Sequence, residues 1–203
     1  MRLLKQAFLV LAACLALAGC GRDPQLDYLP PGSKVLAFGD SLTFGTGAGS
    51  DQSYPARLAQ ATGWELVNAG VPGELAEDGV PRLRELLERE APALVLLCHG
   101  GNNLLRGQPE ERVRGQLVQM IELARDHRAQ LVLLGVPRPS LLVSTADVYQ
   151  ELAEQYDLVY LPDAIADTLS DPSLKSDQVH PNAAGYARIA DELLDLLRSA
   201  GAV

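Results

Sequence analysis

Cysteine, histidine and clustered basic residues are what this 203-residue chain has least of, and each scarcity excludes something. There are three cysteines. Cys14 and Cys20 sit in or at the end of an N-terminal apolar stretch, and only Cys98 lies further along, so no internal disulfide framework is available to the folded part. Cys98 belongs to the apolar run Leu94-Val95-Leu96-Leu97-Cys98, where a buried, inert thiol is the expectation. The formal charge is −9, and no Lys/Arg cluster offers the basic surface that phosphate contact needs, which excludes nucleic acid as a partner. No G-x-x-x-x-G-K-[ST] loop occurs, so the glycines through Gly45, Gly47 and Gly49 do not make a phosphate loop. Neither does a G-x-S-x-G elbow. The Asp, Glu and His residues show no metal-ligand spacing, so neither a metal nor an organic cofactor is expected.

What is present begins with a processing segment, residues 1–19. Arg2 and Lys5 make a positive start, Phe8 to Ala18 is unbroken apolar sequence too short to span a bilayer, and Leu17-Ala18-Gly19-Cys20 follows. This resembles the bacterial lipobox, which implies cleavage before Cys20 and acylation of its thiol. Gly21 rather than Asp follows, which in Gram-negative lipoproteins implies sorting to the outer membrane, facing the periplasm. Removing residues 1–19 leaves 15 basic against 26 acidic residues, a formal −11, so lipid rather than charge would hold the protein to a membrane. Residues 20–33, with three prolines and few apolar positions, read as a lipidated tether.

From residue 34 to 203 the pattern becomes that of one globular domain. Short apolar runs at Val35 to Phe38, Leu66 to Val67, Leu94 to Cys98, Leu131 to Leu134 and Leu158 to Leu161 alternate with amphipathic stretches. Several runs are continuous, as expected of strands covered on both faces. Helices are predicted over Tyr54 to Ala61, Ala76 to Arg89, Glu110 to Arg128, Ala146 to Tyr156 and Asn182 to Ser199, the fourth capped by Ser144 or Thr145. Such alternation gives an α/β fold with a parallel sheet and helices on both faces, and puts chemistry at the carboxyl ends of the strands.

Four segments follow strands in that way. Ser41 comes directly after the first strand in Gly39-Asp40-Ser41-Leu42-Thr43, placed to expose its hydroxyl. Asp177-Gln178-Val179-His180 precedes the last helix, and among the three histidines only His180 has a carboxylate at useful spacing. A serine nucleophile needs such a base, and the base needs a carboxylate to fix its tautomer. Asn68-Ala69-Gly70-Val71-Pro72-Gly73 and His99-Gly100-Gly101-Asn102-Asn103 could supply a backbone N–H and an amide to an oxyanion. Taken singly, each is equally an ordinary turn.

Together, Ser41, Gly73, Asn102 and the Asp177/His180 pair stand in the order of the SGNH (GDSL) hydrolase blocks. Over about residues 34–198 the chain resembles that family, and within it the bacterial thioesterase/lysophospholipase and arylesterase group. The resemblance implies a three-layer, flavodoxin-like α/β/α sandwich with a five-stranded parallel sheet, and a serine esterase. It makes Ser41 the nucleophile, His180 the base and Asp177 its orienter, with the Ser41 and Gly73 N–H groups and the Asn102 side chain as the oxyanion hole. A small acyl ester or lysolipid would be the substrate, and a monomer is expected. Two departures stand out: Asn103 where that group commonly has Asp, and Cys98 where it often has Glu. Altered selectivity is expected from them rather than lost activity. Leu104, Leu105, Leu141, Leu142 and Val143 near the expected mouth point to longer acyl groups. Two alternatives remain open at this point: an O-deacetylase or acetyltransferase of envelope carbohydrate, and a non-catalytic envelope-binding lipoprotein.

Overall fold

The computed structural model describes residues 24–140 and 143–203. The signal segment and Cys20, like Leu141 and Leu142, lie outside the described residues.

In chain order the elements are β1 (Lys34–Gly39), α1 (Ser41–Phe44), α2 (Tyr54–Thr62), β2 (Glu65–Gly70), α3 (Ala76–Glu90) and β3 (Leu94–Cys98). Next come α4 (Gly101–Leu105), α5 (Glu110–Asp126), β4 (Gln130–Leu134), β5 (Pro137–Arg138) and β6 (Ser144–Thr145). The chain ends with α6 (Asp147–Tyr156), β7 (Val159–Leu161), α7 (Ala164–Ser170), a 3-10 turn (Pro172–Leu174) and α8 (Ala183–Ser199). Five strands form one parallel sheet in the order β2-β1-β3-β4-β7, and β5 and β6 pair as a separate antiparallel ribbon. This is the flavodoxin-like order expected, and all five apolar runs are strands of the sheet. Continuous apolarity has its stated cause: α3, α5 and α6 pack together over one face, while α2 and α7 pack on α8 over the other. In β1 and β3 every residue except Lys34 is buried.

The chain leaves β1 for β2 on one side and then crosses to β3 on the other. The crevice at the end of β1 is therefore the switch point of the sheet, the place where such folds bind ligands. Close approach there needs glycine. A Cβ on Gly39 would lie 2.0 Å from the Cys98 carbonyl oxygen, and one on Gly70 would lie 2.1 Å from the Phe44 nitrogen. α1 thus sits directly on the ends of β1 and β2. Its N-cap is Asp40, whose side chain accepts from the Leu42 N–H.

Three local expectations are corrected. Helix α6 is capped by neither Ser144 nor Thr145: its N-cap is Ala146, without a side-chain bond. The Thr145 hydroxyl is committed to the Pro162 carbonyl and the Asp163 carboxylate, both at 2.9 Å, which holds β6 against the turn after β7. Helix α7 was not anticipated, so two elements intervene between the last strand and His180.

The third concerns the tether, which is docked from Leu26 onwards. The Leu26 and Leu29 N–H groups donate to the Ala200 and Ala202 carbonyls, and Gly32 N–H to Gly63 O. The Leu29 carbonyl accepts from Trp64 Nε1 at 3.0 Å, and the Gln130 side chain pairs with both backbone groups of Asp27. Leu29 itself is buried. These contacts fasten the strap to the start of β4, to the segment before β2 and to the residues that follow α8.

Candidate active site

Ser41 is the first residue of α1, half-buried at the end of β1. Facing it is the loop between the 3-10 turn and α8. That loop is closed on itself by the Lys175–Pro181 bridge and by Ser176 N–H donating to the His180 carbonyl at 2.9 Å. It is fixed to the rest by α8, whose Asn182 side chain caps Ala184 and Gly185. The Tyr186 hydroxyl, from the same helix, donates to the Thr46 carbonyl just beyond α1 at 2.9 Å. Two segments 139 residues apart are thereby held in register.

The outcome is a chain of short bonds. His180 Nε2 lies 3.0 Å from Ser41 Oγ, and His180 Nδ1 lies 2.8 Å from Asp177 Oδ2. The other carboxylate oxygen of Asp177 accepts the Val179 and His180 N–H groups at 2.8 and 2.9 Å. Because a carboxylate only accepts, the proton of neutral His180 sits on Nδ1 and leaves Nε2 to accept from the serine hydroxyl. Burial alone would raise the Asp177 carboxyl, but the bonds from His180 and the two amides hold it below the usual carboxylate range.

Asn102 and Ser41 line one cavity of about 360 Å³. An amide carries two N–H donors; one of them, on Asn102 Nδ2, is given to the Glu74 carbonyl at 3.0 Å. Gly73, at φ +81°, is the residue before Glu74 in the loop after β2 and is not among the cavity's lining residues. The structure therefore joins Ser41 to His180 and His180 to Asp177, places Asn102 with Ser41 and His180 in the lining of one cavity, and ties the Gly73 loop to Asn102 through Glu74. Of the apolar residues expected at the mouth, Leu105 and Val143 line the cavity, whereas Leu104 is buried beneath it.

Residues that sequence reading passed over support this floor. The Glu74 carboxylate takes a two-pronged pair from Arg82, whose guanidinium also donates to the Ala69 and Gly39 carbonyls and lies 4.2 Å above the Phe38 ring. The same carboxylate meets His99 Nε2 at 2.9 Å, and His99, fully buried, accepts the Gly100 N–H on Nδ1. Burial pushes the Glu74 carboxyl up, but His99 and Arg82 outweigh it and the net displacement is downward. Asn103, one of the two departures, is buried and fully used: Oδ1 accepts the Ala76 N–H at the start of α3, and Nδ2 donates to Glu77 and Gln108. Cys98, the other, is buried with its thiol pushed well above the ordinary range by burial and by the Asp40 charge, and so remains protonated. Asp40 is itself buried, and desolvation raises its carboxyl despite the pull of His99 and the Leu42 amide.

A parallel α/β sheet with a Ser–His–Asp contact at its switch point is the layout of a serine hydrolase. The chain belongs to the GDSL-like lipase/acylhydrolase family, whose model matches residues 37–188. It is an ester-hydrolysing enzyme. Esterase TesA of Pseudomonas aeruginosa is 28% identical over 195 residues, covering 91% of this chain and 97% of that protein. A protein of Escherichia coli named thioesterase 1/protease 1/lysophospholipase L1 is 28% identical over 167 residues, 77% of this chain and 79% of its own. Among solved structures, the SGNH-family esterase AlinE4 matches with a TM-score of 0.66 at 30% identity, covering 85% of this chain and 98% of that one.

Proposed function

We propose that the protein hydrolyses carboxylic esters or thioesters of medium to long acyl chains, lysolipids among them, through a Ser41–His180–Asp177 triad and an acyl-enzyme. The observation that carries the reading is the pair of contacts joining Ser41 to His180 and His180 to Asp177, at 3.0 and 2.8 Å. His180 Nε2 removes the Ser41 proton as Oγ attacks the carbonyl carbon. The negative charge that develops on the carbonyl oxygen is met by the Ser41 and Gly73 N–H groups and by the second amide hydrogen of Asn102. The carbon–oxygen or carbon–sulfur bond breaks, His180 gives its proton to the departing alcohol or thiol, and water repeats the sequence on the acyl-enzyme. Asp177 stays ionised and holds the imidazolium that forms between the steps.

Chain length is argued from the cavity. Its volume of about 360 Å³ falls in the range of small-ligand sites. Leu105, Val136, Val143, Leu169 and Val179 give it an apolar wall, while Arg138 at its edge is engaged by Glu110 and Asp147. An acetyl group would leave most of that wall unused. The lipid anchor at Cys20, with the outer membrane as its site, is part of the same proposal and is supported by the sequence before and after that cysteine.

The test is turnover of a p-nitrophenyl ester series, acetyl to long acyl, by protein lacking residues 1–20, with Ser41→Ala alongside. Ser41-dependent activity that rises towards medium or long chains is expected. Cleavage of acetyl alone would move envelope carbohydrate esters to the front, and activity independent of Ser41 would end the triad reading.

A further inference from the structure

The strap and the active site lie at opposite ends of the same sheet. The strands begin at Lys34, Glu65, Leu94, Gln130 and Val159, and their other ends carry Ser41 and the loops around it. Read backwards from Ser33, the strap follows the starting edge. Gly32 bonds to Gly63 just before β2, Asp27 pairs with Gln130 at the start of β4, and Leu26 bonds to Ala200. Pro24 and Gln25 reach a recess beside Leu158, Tyr160 and Leu196, at β7 and α8. The described chain therefore emerges at the foot of the sheet, on its β7 side.

Cys20 is only four residue steps before Pro24, with three residues between them, a reach of about 14 Å at full extension. From Lys34 to Gly39 the strand β1 rises roughly 17 Å at 3.3 Å per residue, and Ser41 opens α1 beyond its end. A thioether lipid on Cys20 cannot bring the catalytic edge onto the bilayer that holds it while the strap is docked. Of the six large apolar side chains that stand exposed among the described residues, Tyr28 and Val203 belong to the strap and to the segment beside it, whereas Phe44, Val71, Leu105 and Val143 lie at the catalytic edge, so the reach of the tether and not apolar area decides which end faces the bilayer.

We infer that the foot of the sheet, with Tyr28 and Val203, is the face that rests on the anchoring lipid surface, and that the catalytic cavity opens away from it. The docked strap acts as a spacer of fixed length. Substrate then arrives from the aqueous side, as single molecules or as acyl groups carried by other partners, and not from the leaflet in which the enzyme is anchored. The inference rests on the lipid reading of Cys20, and its test separates the two.

The full chain, made with its own N-terminus, is purified from membranes and reconstituted in phosphatidylethanolamine/phosphatidylglycerol vesicles containing head-group spin-labelled phospholipid. Single fluorophores are placed by Tyr28→Cys at the foot or by Phe44→Cys beside the catalytic edge. Cys98 is buried and does not compete for label. The foot label is expected to lose most of its emission and the edge label to keep it. Inserting twenty Gly/Ser residues between Asp23 and Pro24 adds a flexible reach of roughly 25 Å and should abolish that difference. Equal quenching of both labels without the insertion, or stronger quenching at Phe44, overturns the orientation. A mature chain whose mass shows no acyl group on Cys20 overturns the anchor, and the orientation with it, while leaving the esterase reading intact.

Discussion

His99 Nε2 lies 2.9 Å from the Glu74 carboxylate, and the Glu74 backbone carbonyl in turn takes the Asn102 amide at 3.0 Å. One buried imidazole thus steadies the segment that joins Gly73 to the Asn102 side chain. Both its nitrogens are committed: Nδ1 accepts from Gly100 N–H, so Nε2 carries the proton and donates.

Replacing His99 by phenylalanine would keep the volume and remove both bonds. The Gly100 N–H would be left without its partner at the entry to α4, and Glu74 would keep Arg82 alone. A stability loss of about 1–3 kcal/mol is expected from the unmet buried groups. If the displaced atoms are the transition-state donors proposed above, kcat should fall by roughly tenfold to a hundredfold with KM little changed. Steady-state kinetics on a p-nitrophenyl ester, beside urea unfolding, checks both. A stability loss with kcat unchanged would show that the network serves the fold alone.

Glu74 gives a pH signature. Its carboxyl is held below the ordinary 4.5, because the bonds from His99 and Arg82 outweigh the cost of burial. A carboxyl depressed in the folded state contributes stability that is fully present above the unfolded value and is lost as pH falls through the folded one. Glu74→Gln should therefore be less stable than the parent at pH 7, by roughly 1–3 kcal/mol. The gap should narrow as pH drops below about 4.5. Urea midpoints across pH 3 to 7 measure it, and a gap that widens in acid would contradict this assignment of charge.

Two substitutions in the cavity separate roles. Ser41→Ala removes one half-buried hydroxyl and should lower turnover by roughly 10⁶ with the melting temperature nearly unchanged. Asn102→Ala removes one donor and should cost about 10²–10³ in kcat. The second variant should still be labelled at Ser41 by a serine-directed phosphonate, while the first should not. Equal losses in both, without labelling of either, would mean that Asn102 is needed to shape the site and not merely to meet charge.

The strands and the contact residues were legible because each is written locally. The β3 run is apolar at all five positions because both its faces are covered, and Asp177 and His180 are three residues apart in one loop. Glu74, Arg82 and His99 were not legible as a unit. They lie on three segments that meet only where the sheet's ends bring the β2 and β3 loops over Phe38, and none of them carries a spacing of its own. Helix α7 escaped because seven residues give under two turns of periodicity, and the side chain of its N-cap Asp163 makes no capping bond to the helix, accepting from Thr145 instead. The strap was misread from its prolines: what fixes it is backbone pairing with a chain end more than 160 residues away, which leaves no local trace.

Asn103 is where the departure from the expected pattern can be tested directly. Its Oδ1 caps the Ala76 N–H, which an aspartate would do equally well, but its Nδ2 donates to Glu77 at 2.7 Å and to Gln108 at 2.8 Å. Asn103→Asp would put a second carboxylate against Glu77, whose own carboxyl is held low in part by that amide. Gln108 can turn its amide to donate, but Glu77 cannot, and two carboxylates at that distance disfavour a second negative charge. The new carboxyl is therefore raised above its unfolded value. Its penalty should be full at neutral pH, about 1–3 kcal/mol for the lost bond and the repulsion, and should fade as acid protonates the pair. Activity should change by no more than a few fold, since Asn102 keeps its bond to Glu74. Chemical unfolding at pH 7 and pH 4 with kinetics at pH 7 decides it. An Asn103→Asp protein as stable as its parent at pH 7 would show that Glu77 is free to swing away, and that asparagine at this position is not required by its acidic neighbour.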